Sequence, residues 1–185
     1  MKKIVIASLI AASSISFAAT VTLEGSQSKP ESGSAPTDTI TMTIKAPISS
    51  ALAIDASMST SSTEASYKSS GRAEAGLSAT RNVFGPVDGY VRIAAGEKMS
   101  SGAITRGYYS SEVGAVYRTP FNGLNVKLGY RVRNSFEDSN TDSSTTTRLS
   151  VSYNVTKMDI IGIRTDIVNG AGAGTGTALN YTRVF

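Results

Sequence analysis

Hydrophobic residues recur at every second position through most of this 185-residue chain, and this period constrains the fold more than any other feature. Ile40, Met42 and Ile44, for example, alternate with threonines. Successive side chains of a β-strand point to opposite faces, so the period predicts strands with one apolar and one polar face. The ten predicted strands are Thr20–Gly25, Asp38–Lys45, Ser50–Met58, Ser70–Arg81, Val87–Glu97, Gly107–Thr119, Leu124–Phe136, Thr145–Val155, Met158–Val168 and Thr177–Phe185.

The predicted connections between these strands alternate between short and long. The short ones are Ala46–Ser49, Asn82–Pro86, Pro120–Gly123 and Thr156–Lys157. The long ones are Ser26–Thr37, Ser59–Ser69, Lys98–Arg106, Glu137–Ser144 and Asn169–Gly176. Short turns at one end and longer loops at the other are typical of an up-and-down transmembrane barrel with an even number of strands.

The N-terminal residues have the pattern of a secretory signal. Lys2 and Lys3 precede the apolar run Ile4–Ile10, and Ser16–Ala18 supplies small residues for cleavage. No later segment approaches the roughly 18 apolar residues of a spanning helix. The predicted domains are a signal peptide, 1–18, and an outer-membrane β-barrel, 19–185.

The last strand carries the features of a Gram-negative outer-membrane β-barrel. Leu179, Tyr181 and Phe185 share one face, and Phe185 is the final residue of the sequence. With the signal and the alternation, the chain resembles a small porin-like barrel. The resemblance implies an assembly signal in these three residues and a location in the cell outer membrane. It also implies three kinds of partner: outer-membrane lipid and lipopolysaccharide, the barrel-assembly machinery, and periplasmic chaperones. Arg183, on the same face, departs from the pattern.

The fold class is therefore predicted as all-β: a closed antiparallel up-and-down transmembrane β-barrel of about ten strands. Eight or twelve strands stay open, because the first and fourth strands have weak apolar faces. A barrel closes every sheet edge and satisfies every backbone group, as lipid requires.

If the apolar face meets lipid, the charged face lines the interior. The basic candidates are Arg72, Arg92, Arg118, Lys127, Arg131, Arg133, Arg148 and Arg164, with Lys45 and Lys98 on the same face. The acidic candidates are Glu74, Glu112 and Asp166, with Glu24 and Asp55. Positive side chains outnumber negative ones, and rings of Arg and Lys favour anions. Side chains alone fill barrels of about eight strands, so ion pairs that plug the interior are the competing interpretation.

Composition narrows the function. The chain has no histidine and no cysteine, which removes His-based catalysis, the usual zinc ligands and disulfides. We therefore expect no enzyme, cofactor or metal. Lys2 and Lys3 supply half of the net charge of +4, so a nucleic-acid partner has little support.

Three hypotheses follow. The first is a small channel for passive diffusion with a preference for small anionic solutes. The second is a closed structural or surface-interaction barrel that displays external loops. The third is a soluble secreted β-sandwich, since a soluble antiparallel sheet alternates as well.

Overall fold

Ten antiparallel strands form one closed barrel in the computed structural model, which describes residues 19–63, 69–100, 106–137 and 143–185. The strands are β1 (Thr20–Pro30), β2 (Thr37–Pro47), β3 (Leu52–Thr63), β4 (Ser69–Phe84), β5 (Val87–Ser100), β6 (Arg106–Arg118), β7 (Leu124–Ser135), β8 (Ser144–Asn154), β9 (Asp159–Gly170) and β10 (Gly174–Val184). Each strand pairs with its sequence neighbours, and β1 pairs with β10 to close the sheet. The prediction of a ten-stranded up-and-down barrel is confirmed, and the β-sandwich hypothesis is wrong. The predicted signal peptide, 1–18, lies outside the described residues.

Several strands extend beyond their predicted bounds at the end of the barrel where the long connections were expected. Ser26–Pro30 and Ser59–Thr63 were assigned to loops, yet both segments continue the backbone pairing, as in Ser61 opposite Thr39. Their side chains are almost all polar and show no apolar alternation. Backbone hydrogen bonding does not require an apolar face, so a strand can continue after its hydrophobic pattern has ended. Three stretches of the predicted long loops, 64–68, 101–105 and 138–142, lie outside the described residues.

The barrel carries its hydrophobic residues on the outside. The exposed large hydrophobic residues include Ile40, Val113 and Leu128, each more than half exposed. The buried hydrophobic residues of the described ranges are Ala46, Ala53, Tyr90, Ala94, Tyr108 and Ala178, without a single Leu, Ile or Val. A water-soluble barrel would bury its branched aliphatic residues, so this outer surface is built to contact lipid.

Exposed aromatic residues lie near both ends of the barrel. Phe84 and Phe121 are exposed at the end that carries the short turns, called here the short-turn end. Tyr109 and Phe136 lie near the opposite, long-loop end, with ring centroids 5.4 Å apart. Two such bands mark the headgroup levels of a membrane. The described residues contain no helix that is long and apolar enough to cross a membrane.

Candidate functional site: the barrel interior

The strand register sorts every strand residue to one face. Glu24 lies opposite Thr41 on β2 and Asn180 on β10, and the same alternation continues around the barrel. All the predicted interior residues consequently face inward: Arg72, Arg92, Arg118, Lys127, Arg131, Arg133, Arg148, Arg164, Glu74, Glu112 and Asp166, together with Lys45, Lys98, Glu24 and Asp55. Their arrangement, however, differs from an open ring of cations.

Ten of these side chains form two groups of ion pairs, one of four residues and one of six, which are together called here the ion-pair belt. Its members are Glu24, Asp55, Glu74, Arg92, Glu112, Lys127, Arg131, Arg148, Arg164 and Asp166. The acidic side chains of the belt are 4–15% exposed. Because they have little contact with water, their negative charges require compensation by the basic partners inside the barrel.

One half of the belt is organised around Glu74 on β4. Arg92 Nη1 on β5 donates to Glu74 Oε1 at 2.7 Å, and its Nε and Nη2 bind Asp55 on β3. Arg131 on β7 reaches the other oxygen of Glu74 and donates to Ser110 Oγ at 3.1 Å. The pair between β7 and β4 connects strands that are three apart, so these side chains extend into the interior instead of following the wall.

The other half of the belt is organised around Glu112 on β6. Tyr90 donates to Glu112 Oε1 at 2.6 Å, and Lys127 Nζ lies 3.6 Å from the same oxygen. Arg148 on β8 donates to Glu112 Oε2 at 3.1 Å and to Asp166 Oδ1 at 3.0 Å.

Arg164 continues the belt to the first strand. Its Nη2 lies 3.0 Å from Asp166 Oδ2, and its Nη1 donates to Glu24 Oε2 on β1 at 2.5 Å. The belt therefore links strands on both sides of the β1–β10 closure.

Glycines on β6 and β7 make room for an aromatic ring inside the barrel. A Cβ at Gly129 would overlap the Tyr90 hydroxyl, and a Cβ at Gly114 would lie 2.6 Å from Tyr90 Cε1. Lys127 Nζ lies over the face of this ring, 4.1 Å from its centroid. The wall formed by β4–β7 is therefore packed with aromatic and charged side chains.

Charge is distributed unevenly between the belt and the ends of the barrel. The belt holds five acidic and five basic side chains, so it is balanced. Arg118 pairs with Asp88 near the short-turn end. The remaining inward-facing basic residues of the described ranges are Lys45, Arg72, Lys98, Arg106 and Arg133. The basic excess expected from the sequence therefore lies outside the belt, and four of these five residues lie toward the long-loop end.

Two interior residues were missed by the sequence reasoning. Asp88 is the second residue of β5 and faces inward opposite Val116. Because it lies two residues before Tyr90, alternation along the strand could have assigned it to the same polar face. Arg106 was assigned to a loop, but it begins β6 opposite Lys98.

The residues of the predicted assembly signal all face outward. Leu179 is 67%, Tyr181 40% and Phe185 66% exposed. The Tyr181 hydroxyl donates to Asp159 Oδ1 at 2.6 Å, and Arg183 Nη1 donates to the same oxygen at 3.1 Å. The unusual outward arginine is thus paired with a carboxylate at the short-turn end.

Comparison with known proteins rests on structure alone. No protein-family model and no curated protein matches the sequence. An outer-membrane channel from Pseudomonas putida F1 is 11% identical, with a TM-score of 0.60 over 93% of this chain and 97% of that chain. The KdgM porin is 12% identical, with a TM-score of 0.48 over 90% of this chain and 99% of that one. Neisserial surface protein A is 11% identical, with a TM-score of 0.48 over 90% and 96%. The likeness to the Pseudomonas channel shows the fold: this chain is a closed β-barrel similar to those of outer-membrane channels.

Proposed function

We propose that this chain is a small channel of the cell outer membrane that allows passive diffusion of small solutes, with a preference for anions. The observation that supports this proposal is the net positive charge of the inward-facing side chains. By strand register, eleven basic and six acidic side chains of the described residues face inward, an excess of five positive charges. A positive lining in a low-dielectric wall raises the local concentration of anions.

The position of the excess supports selection at the external mouth. Arg72, Lys98, Arg106 and Arg133 lie toward the long-loop end, which faces the cell exterior in barrels of this type. Anions would meet this group before they reach the balanced belt.

Planar-bilayer recording of the refolded barrel under a salt gradient tests the proposal. We expect discrete conductance steps and a reversal potential that favours anions. Lys98→Gln should shift this potential toward zero. The matched control is Lys29→Gln, since Lys29 lies near the same end but on the outer face. Equal reversal potentials for the wild type and Lys98→Gln would contradict selection at the mouth.

A closed structural or surface-interaction barrel is the second candidate, and the ion-pair belt favours it. Ten side chains that pair across strands occupy much of the interior of a narrow barrel. This candidate predicts a silent bilayer from protein that is shown to be folded by its heat-sensitive gel mobility. Loop deletions, and not interior substitutions, would then change its function.

A further inference from the structure

A second interior surface consists of hydroxyl groups. On β2, four consecutive inward-facing residues are threonines, and each lies opposite a serine or threonine of β3. This surface is called here the hydroxyl wall, and its cross-strand pairs are Thr37–Thr63, Thr39–Ser61, Thr41–Ser59 and Thr43–Ser57. Toward the long-loop end the hydroxyls bind one another: Thr37 Oγ1 lies 3.0 Å from Thr63 Oγ1, and Thr39 Oγ1 lies 2.8 Å from Ser61 Oγ.

The hydroxyl wall occupies a gap in the ion-pair belt. The belt reaches Glu24 on β1 and Asp55 on β3, and β2 lies between these strands without contributing a member. Thr41 lies opposite Glu24, and Thr43 is the next inward residue. The hydroxyls of Thr41 and Thr43 take part in none of the side-chain hydrogen bonds found within the described ranges.

Accessibility separates the hydroxyl wall from the opposite side of the barrel. The inward residues Thr37–Thr43 are all partly exposed. On the β4–β7 side, Ser78 is 5%, Ser110 4% and Tyr108 2% exposed. The inward side chains of β2 are therefore more accessible than these residues of the β4–β7 side.

We infer that the passage through the belt runs along the hydroxyl wall at Thr41 and Thr43, and that it takes small polyhydroxylated solutes. This inference rests on the proposed channel function. The belt charges bind one another, so they offer a passing solute few free groups. Threonine hydroxyls both donate and accept hydrogen bonds, as the hydroxyls of a small sugar do, and they can replace its hydration during passage.

The absence of cysteine allows a direct test of the route, because a single introduced thiol is the only one in the chain. We expect a water-soluble, negatively charged thiosulfonate reagent to modify Thr43→Cys in the folded barrel and to reduce its conductance. Ser78→Cys, on the packed side, and Thr165→Cys, on the outer face of β9, are the controls and should resist the reagent. Thr41→Cys gives a second site should Thr43→Cys fail to fold.

The outcomes separate the two proposals. A silent wild-type barrel would overturn the channel function and this inference with it. If the wild-type barrel conducts but the conductance of Thr43→Cys and Thr41→Cys is unchanged by the reagent, the route alone is overturned. Faster modification of Ser78→Cys would place the passage on the opposite side and would also overturn it.

Liposome swelling with a small neutral sugar tests the solute class. The double variant Thr41→Val, Thr43→Val keeps the side-chain volume and removes two hydroxyls, so we expect sugar influx to fall roughly tenfold. Thr41→Ser, Thr43→Ser keeps the hydroxyls and should retain at least wild-type influx. Equal influx in the wild type and the valine variant would overturn the assignment of polyhydroxylated solutes.

Discussion

The two sides of the barrel interior use polar residues in different ways. On the β4–β7 side, buried carboxylates, guanidinium groups and the Tyr90 ring fill the space between the strands. On the β1–β3 side, short hydroxyl side chains line the wall and remain partly accessible. Both sides have the same strand alternation, so the difference comes from side-chain length and charge. Long side chains that form ion pairs hold the barrel together, while short hydroxyl side chains leave space.

The largest expected difference between the sides is in stability. In Glu112→Ala, the cations Lys127 and Arg148 and the Tyr90 hydroxyl lose their common partner. Removal of one member of a buried ion pair costs about 3–5 kcal/mol, so the free energy of unfolding should fall by that amount. Urea unfolding in lipid vesicles measures it. Thr41→Ala, on the hydroxyl wall, is the control and should change little. Equal losses of unfolding free energy in the two variants would contradict the conclusion that one side of the interior is packed and the other is not.

Packing around Tyr90 should give the next largest effect. The methyl group of Gly129→Ala would collide with the Tyr90 hydroxyl and displace the ring from Glu112. Overpacking typically costs about 1–3 kcal/mol. Gly25→Ala on β1 is the matched control, since its methyl group would meet nothing within 4 Å. A Gly129→Ala barrel with the same unfolding midpoint as Gly25→Ala would show that the β6–β7 wall is not tightly packed.

A smaller loss is expected within the hydroxyl wall near the long-loop end. Thr39→Val removes the hydrogen bond to Ser61 Oγ, which is 2.8 Å long. A neutral hydrogen bond contributes about 0.5–1.5 kcal/mol, and the partner stays within reach of water, so the loss should lie at the lower limit. Unfolding of Thr39→Val beside Thr39→Ser measures it. A loss as large as that of Glu112→Ala would mean that the hydroxyl wall is packed as well.

The smallest effect is expected outside both interior surfaces. Arg183→Gln removes the pair with Asp159 at the outer surface, where both side chains are accessible. Such exposed pairs contribute little to stability. We expect an unchanged unfolding midpoint, with Arg183→Lys as the control. Failed folding of the glutamine variant alone would indicate that this arginine acts in assembly.

The sequence predicted strands with one apolar and one polar face because a strand places alternate residues on opposite faces. Both faces of β2, for example, could be assigned from Ile40, Met42 and Ile44 on one side and threonines on the other. Strand ends were less predictable. The hydrophobic pattern ended before the backbone pairing did at the long-loop ends of β1 and β3, because the residues there, Ser26–Pro30 and Ser59–Thr63, are almost all polar.

The sequence predicted which side chains face the barrel interior, but not which of them contact one another. The inward position of Glu74 and Arg131 follows from alternation within β4 and β7. Their contact does not, since two intervening strands separate them along the sheet. The belt therefore could not be distinguished from an open basic ring before the register of all ten strands was known.

By itself, the sequence determined which side of each strand is apolar, because the two-residue period of a strand is a local property of the backbone, and the alternating connection lengths and the last strand added the prediction of a barrel. Only the tertiary structure decided which charges meet. Closure of the sheet sets the stagger between strands, and that stagger brings Arg131 to Glu74 and Arg164 to Glu24 while Thr41 and Thr43 remain at the gap. Charge pairing depends on distances across the interior, and those distances exist only in the closed barrel.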